Sequence, residues 1–169
     1  GRLRLRDGRA LAYDRLVLAC GSHPFVPPIP GATREGVQVL RTVEDANALI
    51  ERCGSGSRCA IIGGGLLGLE TAGALLQRGV EVTVLEGFGW LLPRQLPQPA
   101  GEMLCRHVER LGITVRSRVH VKELTGDERV RGVLLDDEEE IDAGDLIEEE
   151  EVLDDDLLEE IDDDDLKEE

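Results

Sequence analysis

The chain has 169 residues, of which 41% are hydrophobic but only 2% aromatic, so its core must consist mainly of aliphatic side chains. The net charge of −17 is unevenly spread, because residues 136–169 hold 22 of the 36 acidic residues and one of the 19 basic ones. No apolar run approaches the ~20 residues of a membrane-spanning helix, and residues 1–6 lack the apolar segment of a secretion signal. We therefore expect a mildly basic globular part with an acidic tail, and neither membrane nor nucleic-acid partners.

No metal-ligand spacing such as C-x-x-C joins the four cysteines, which are Cys20, Cys53, Cys59 and Cys105. The favoured interpretation is that they are small, buried, free thiols, although a redox-active pair brought together in space stays open. Free thiols are typical of a reducing compartment, so we expect a cytoplasmic protein. The histidines (His23, His107 and His120) have no partner at ligand or triad spacing, and we expect them to be structural or exposed.

The first 31 residues have the pattern of a hairpin followed by a buried strand. Residues 2–6 and 9–13 flank Asp7-Gly8, a two-residue turn signal. The apolar run at 16–19 predicts a short buried strand. Four prolines between residues 24 and 30 then exclude a helix and favour a domain boundary near residue 31.

The remaining elements alternate between helix and strand. Thr42 precedes a helix with two acids in its first turn, and Gly54 follows it. The next predicted elements are a strand at 59–62, a helix at 66–78, a strand at 81–86, a helix at 100–111, a strand at 113–116 and a hairpin of strands at 119–124 and 130–135. This order predicts an α/β fold: a Rossmann-like domain whose parallel sheet has an antiparallel excursion.

A glycine-rich loop between the first two of these strands matches G-x-G-x-x-G. It consists of Gly63, Gly64, Gly65, Leu66, Leu67 and Gly68. The pattern alone is weak in a chain with 20 glycines, but here a buried strand ends before it and a helix begins within it. Gly63 permits the tight turn, Gly65 lets a pyrophosphate approach the backbone, and Gly68 lets the helix pack closely. The helix start then supplies N–H groups to the phosphates.

Two acidic residues accompany this loop. Glu86 ends the next strand and is expected to accept hydrogen bonds from the adenosine ribose. Its charge disfavours a 2′-phosphate, so NADH is favoured over NADPH, and the nearest bases, Arg78 and Arg94, are not placed to offset it. Glu70 is expected to reach the nicotinamide end. The alternatives are a tight turn without a ligand and, for Glu70, a solvated helix acid.

Several segments resemble the pyridine nucleotide-disulfide oxidoreductases. Residues 13–24 are similar to the segment that closes the flavin domain in that family, with Ala19-Cys20-Gly21-Ser22 where the family usually has Ala-Thr-Gly-Ser. Residues 40–46 and 62–70 continue the match. Residues 90–96 and 100–104, together with the glycine loop, resemble the large subunit of NAD(P)H-dependent nitrite reductase.

The resemblance implies a division of the chain and roles for its residues. Residues 1–31 would be the remnant of an FAD-binding domain, 32–147 an NAD(P)H-binding domain, and 148–169 a disordered acidic tail. Gly63–Gly68 and Glu86 would bind NADH (or NADPH), Ala19, Cys20, Gly21 and Ser22 would line the FAD, and Glu70 would act near the nicotinamide–flavin junction. FAD would accept a hydride and pass electrons to an acceptor outside this chain.

The sequence also departs from the family. The first FAD glycine loop, the later Gly-Asp segment and the iron–sulfur cysteines are missing, so we expect the isolated chain to lack NADH oxidase and nitrite reductase activity. Adjacent carboxylates at 148–151 are costly to bury, so the last strand is expected to be shortened or lost. The alternative functions are an acidic-tailed binding module and a folded, inactive remnant.

Overall fold

The computed structural model describes residues 1–142 and 145–148. The helices are α1 (Val43–Arg52), α2 (Leu66–Gln77) and α3 (Gln98–Arg110). The strands are β1 (Arg2–Arg4), β2 (Ala10–Ala12), β3 (Val37–Val39), β4 (Arg58–Ile62), β5 (Glu81–Glu86), β6 (Thr114–Ser117), β7 (Val121–Gly126), β8 (Val130–Leu135), β9 (Glu140–Asp142) and β10 (Asp145–Glu148).

The centre of the fold is a parallel sheet of five strands in the order β3-β10-β4-β5-β6. Its strands pair in parallel throughout. Helices α2 and α3 connect β4 to β5 and β5 to β6, so these three strands end at the same edge. A separate antiparallel sheet, β7-β8-β9, connects β6 to β10. The expected α/β fold with an antiparallel excursion is confirmed.

The parallel sheet is covered differently on its two faces. Cys59 and Ile61 of β4 pack among side chains of all three helices, whereas Ala60 packs among side chains of β7 and β8. This alternation follows from the two-residue period of a strand. The aliphatic core that the composition predicted therefore lies in two layers, one on each side of the sheet.

Helix α1 begins as the sequence predicts. The hydroxyl of Thr42 accepts a hydrogen bond from the N–H of Asp45, and the Asp45 carboxylate accepts one from the N–H of Thr42. Each side chain thus satisfies a backbone donor of the first turn, which is the capping box. The N–H of Arg41 donates to the same carboxylate, which fixes the chain entering the helix.

The buried strand predicted at residues 16–19 is wrong. These residues form no strand, and Val17 and Leu18 are 85% and 77% exposed. Within residues 1–142 and 145–148, no strand pairs with this segment, and an apolar run without a pairing partner does not form a strand. The N-terminal hairpin is confirmed, since β1 pairs antiparallel with β2, but both strands are exposed.

The last strand is present and short, so of the two outcomes expected for it, shortened or lost, the structure has the first. Strand β10 is short, with four residues, and it lies between β3 and β4. The apolar pair Leu146-Ile147 occupies its middle, and the acidic residues stand at its two ends. The disordered tail expected at 148–169 lies outside the described residues, apart from Glu148.

The cysteines and His120 differ in part from expectation. None of the four cysteines is part of a disulfide; Cys53 and Cys59 are buried as predicted, but Cys20 is exposed and Cys105 is half-buried. His120 is exposed as expected, yet it has a partner that its spacing did not reveal, because its Nδ1 lies 3.3 Å from an Asp136 carboxylate oxygen.

None of the helices in the described residues is long and apolar enough to cross a membrane.

Replacing Asp45 by alanine is expected to reduce the free energy of unfolding at pH 7 by about 0.5–1 kcal/mol, the usual size of a capping contribution. Hydrogen bonds from the N–H groups of Thr42 and Arg41 lower the pKa of Asp45 below its ordinary 3.8. The stabilisation is therefore complete above pH 3.8 and disappears as the pH falls through the lower, folded-state value. Urea unfolding of both proteins across this range checks it; a stability difference that does not shrink in acid would contradict this explanation.

Candidate nucleotide site at the carboxyl edge of the sheet

The glycine loop turns directly from β4 into α2. Gly63 has φ +110°, a left-handed conformation that favours glycine, and its N–H donates to the Leu85 carbonyl of the neighbouring strand at 2.8 Å. Gly65 is the N-cap of α2, where no side chain accepts a capping hydrogen bond. The first turn of α2 also contains no acidic residue. The first turn of α2 itself therefore places no carboxylate at the positive end of the helix, which favours an anionic ligand there.

Glu86 lies at the end of β5, beside the glycine loop. Its side chain is buried, with 6% of the residue exposed. One carboxylate oxygen accepts a hydrogen bond from the N–H of Gly64 at 2.7 Å, and the other accepts one from the N–H of Phe88 at 2.8 Å. These charge-assisted bonds compensate the burial of the carboxylate. Since an ionised carboxylate has about four acceptor positions, acceptor capacity remains for a ligand.

Gly64 joins the glycine loop to the segment after β5. Its N–H donates to Glu86, and its carbonyl accepts from the N–H of Leu92 at 3.1 Å. A Cβ at this position would lie 2.6 Å from the Leu91 side chain and 2.8 Å from the Glu86 carboxylate. Gly64 is therefore sterically required here, a role that the sequence pattern did not distinguish from contact with a cofactor.

Trp90 anchors the same segment on α3. Its indole N–H donates to the Leu96 carbonyl at 3.0 Å, and its ring packs so closely on Gly101 that a Cβ there would overlap it. Leu91, fully buried, occupies the core beneath the helices. Hydrogen bonds therefore hold the segment from Gly87 to Leu96 at its start, through Phe88 and Glu86, and at its end, through Trp90 and Leu96.

The structure brings together only part of the predicted site. Gly63–Gly68 and Glu86 form one group, and Gly68 is buried, as close packing of α2 requires. Glu70 lies on α2, exposed, and its side chain makes no hydrogen bond or ion pair within the described residues. The FAD-lining candidates Ala19, Cys20, Gly21 and Ser22 lie in an exposed segment, and within the same residues none of them is hydrogen-bonded to the glycine loop.

One basic residue near this edge is missing from the sequence prediction. Glu86 pairs with Ser117 across β5 and β6, which brings Arg118 beside the chain that follows Glu86. The N–H of Arg118 donates to the Phe88 carbonyl at 2.9 Å. The separation of these residues in sequence hid this proximity; the pairing of two predicted parallel strands was the signal that could have found it.

A surface depression of about 450 Å³ lies at the opposite edge of the sheet, lined among others by Arg58, Glu81 and Thr114. These residues stand at the amino-terminal starts of β4, β5 and β6. In open α/β sheets, ligands bind outside the carboxyl ends of the strands. We therefore place the candidate site at the glycine loop and not in this depression.

The sequence matches the family described as pyridine nucleotide-disulphide oxidoreductase over residues 2–148. The match covers most of the chain and includes the parallel sheet, the antiparallel excursion and the glycine loop. The chain belongs to this family.

The expected resemblance to nitrite reductase large subunits is confirmed by two relatives. The chain is 40% identical over 135 residues to the nitrite reductase [NAD(P)H] of Bacillus subtilis, which covers 80% of this chain and 17% of the relative. It is 46% identical over 118 residues to the nitrite reductase (NADH) large subunit of Escherichia coli, covering 69% of this chain and 14% of the relative. The chain thus spans less than a fifth of the length of either protein.

Solved structures give the same fold. A covalent putidaredoxin reductase–putidaredoxin complex has a TM-score of 0.77 and 30% identity, covering 87% of this chain and 37% of that one. An FAD-dependent pyridine nucleotide-disulphide oxidoreductase from Desulfovibrio vulgaris has a TM-score of 0.69 and 31% identity, covering 86% and 38%. At the level of the family, these relatives support NAD(P)H and FAD as the expected cofactors.

Replacing Gly64 by alanine is expected to reduce the free energy of unfolding by about 1–3 kcal/mol, because the methyl group must displace Leu91 or break the Glu86 hydrogen bond. Gly73→Ala is the matched control, since it adds the same methyl group within α2 where nothing lies within 4 Å. That substitution is expected to be neutral or to stabilise by up to about 1 kcal/mol. Urea unfolding measures both; equal effects would contradict the steric role of Gly64.

Proposed function

We propose that the chain is the NADH-binding part of an FAD-dependent oxidoreductase of the nitrite reductase large-subunit type. The observation that carries this proposal is a glycine loop, leading into a helix without a side-chain cap, that is joined to a buried carboxylate at the carboxyl edge of a parallel sheet. In the complete protein, a hydride passes from NADH to FAD and electrons continue to an acceptor outside this chain. The downstream acceptor, the absence of nucleic-acid partners and the cytoplasmic location are parts of the same proposal.

The residues present fit the two ends of an adenosine diphosphate group. Pyrophosphate oxygens suit the N-terminus of α2, which lacks an acid in its first turn, and Gly65 has no side chain to keep them away from the backbone. Ribose hydroxyls suit the Glu86 carboxylate, whose oxygens each hold one N–H donor and retain acceptor capacity. When bound, NADH supplies the hydride, and these residues position its adenosine half.

The FAD part of the proposal rests on the N-terminal segment. We assign residues 1–31 to the end of an FAD-binding domain, 32–147 to the NAD(P)H-binding domain and 148–169 to an acidic tail. Ala19, Cys20, Gly21 and Ser22 are the candidates for contact with FAD. Their exposure, together with that of Leu18, Phe25 and Val26, supports a segment that packs against something other than residues 32–142.

Two other functions remain as alternatives. An acidic-tailed binding module would act through residues 148–169 and leave the glycine loop without a ligand. A folded, inactive remnant would keep the sheet but bind no dinucleotide. Both predict a folded protein that does not respond to NADH, which separates them from the proposal.

Titration of the whole chain with NADH, followed by the fluorescence of the nucleotide, tests the proposal. Saturable binding is expected, and Gly65→Ala is expected to weaken it about tenfold or more because its methyl group occupies the pyrophosphate position. Gly73→Ala, on the same helix, is the control and should leave the affinity unchanged. If a chain shown to be folded by circular dichroism does not bind NADH, the proposal is wrong.

Glu70 is proposed to act at the nicotinamide end of the bound nucleotide. Glu70→Gln is then expected to change the affinity for NADH several-fold while leaving that for ADP-ribose, which lacks nicotinamide, within twofold. Calorimetric titration with the two ligands measures this difference. Equal affinities in the variant and the original chain for both ligands would make Glu70 a solvated helix acid.

A further inference from the structure

Arg118 lies at the same edge of the sheet as the ribose-binding candidate. Strands β5 and β6 run in parallel with Glu86 opposite Ser117, the residue before Arg118. The segments that follow these two strands are also hydrogen-bonded to each other. The N–H of Arg118 donates to the Phe88 carbonyl, and the N–H of Val119 donates to the Glu86 carbonyl. The position of Arg118 relative to Glu86 is therefore fixed by backbone hydrogen bonds.

The backbone of Arg118 is unusual for a residue with a side chain. Its φ of +62° lies in the left-handed region, where glycine is the default and asparagine is tolerated. An arginine in this conformation is disfavoured by the contact between its Cβ and its own backbone. Within the described residues the Arg118 side chain makes no hydrogen bond or ion pair that would account for an arginine at this turn, so the strain points to a use for the guanidinium.

The guanidinium of Arg118 lies over the backbone that follows Glu86. Its Nε is 3.0 Å from the position that a Cβ on Gly89 would occupy. Two neighbouring residues do have partners: Arg116 pairs with Glu139, and the His120 imidazole lies beside Asp136. Arg118, in contrast, is exposed and has no side-chain hydrogen bond or ion pair within residues 1–142.

We propose that Arg118 is the residue that determines how the site treats the 2′ position of the adenosine ribose. Its guanidinium offers a 2′-phosphate a charge-assisted, two-point contact that offsets the repulsion from Glu86. The site then accepts both NADPH and NADH, whereas Glu86 alone would favour NADH. This inference rests on the proposed function, because it needs the ribose at the Glu86 end of the loop.

The test compares matched ligands and matched variants of the whole chain. ADP-ribose and 2′-phospho-ADP-ribose, which differ only in the phosphate, are titrated by calorimetry at low and moderate salt. Arg118→Asn removes the charge and keeps a residue that tolerates the left-handed backbone, and Arg118→Lys restores the charge. Arg78→Gln removes an exposed positive charge at the C-terminal end of α2 and serves as the control.

Arg118→Asn is expected to weaken binding of the phosphorylated ligand about tenfold and to leave ADP-ribose within twofold. Arg118→Lys should recover part of this loss, Arg78→Gln should cause none, and the difference should shrink as salt screens the charge. Equal effects on both ligands, or none, in a chain that binds ADP-ribose would overturn the inference alone. A folded chain that binds neither ligand would overturn the proposed function and this inference together.

Discussion

The hydrogen bond between the N–H of Gly64 and the buried carboxylate of Glu86 is the interaction on which the candidate site depends. A carboxylate at the end of a central strand is costly to bury unless donors surround it, and here Gly64 and Phe88 supply them. The same bond joins the two strands that bear the site, because Gly64 follows β4 and Glu86 ends β5. The acid therefore holds the loop in place before any ligand arrives, so its recognition and positioning roles cannot be separated by removing it.

The layers of the fold explain why this junction lies at an accessible edge. Helices cover one face of the parallel sheet and the antiparallel sheet covers the other, so neither face is open. In the described residues, the ends of the strands are where a ligand can reach the sheet. At the carboxyl end, Glu86 is hydrogen-bonded to Gly64 just before α2, and Phe88, two residues after Glu86, is hydrogen-bonded to the turn that carries Arg118. A ligand with negative charge at one end and hydroxyl groups at the other matches this order of groups, which supports a dinucleotide over a simple anion.

The sequence was sufficient to predict the elements whose local signals agree. It was insufficient where contacts between residues distant in sequence determine the structure. Strand β5 and the start of α2 were predicted within their observed bounds, because an apolar strand, glycines and a helical period follow each other directly. The apolar run at 16–19 misled, since a strand also needs a neighbour for its hydrogen bonds. Strand β10 could be expected only as shortened or lost, and it persists as a short strand with its acids at its ends. The roles of Gly64 and Arg118 could be found only from the contacts in the structure. Neighbouring side chains exclude a Cβ at Gly64, and strand pairing brings Arg118 to the site.

The position of β10 has a consequence for folding during synthesis of the protein on the ribosome. This strand comes last of the sheet strands in sequence, yet it lies second in the sheet, between β3 and β4. A nascent chain that has emerged only as far as β9 holds β4, β5 and β6, but β3 has no strand to pair with. Since Leu146 pairs with both Val37 and Ala60, closure of the sheet is a late, long-range step. Until it occurs, the edge of β4 is unpaired, and the growing chain is then most exposed to association with other unfinished chains.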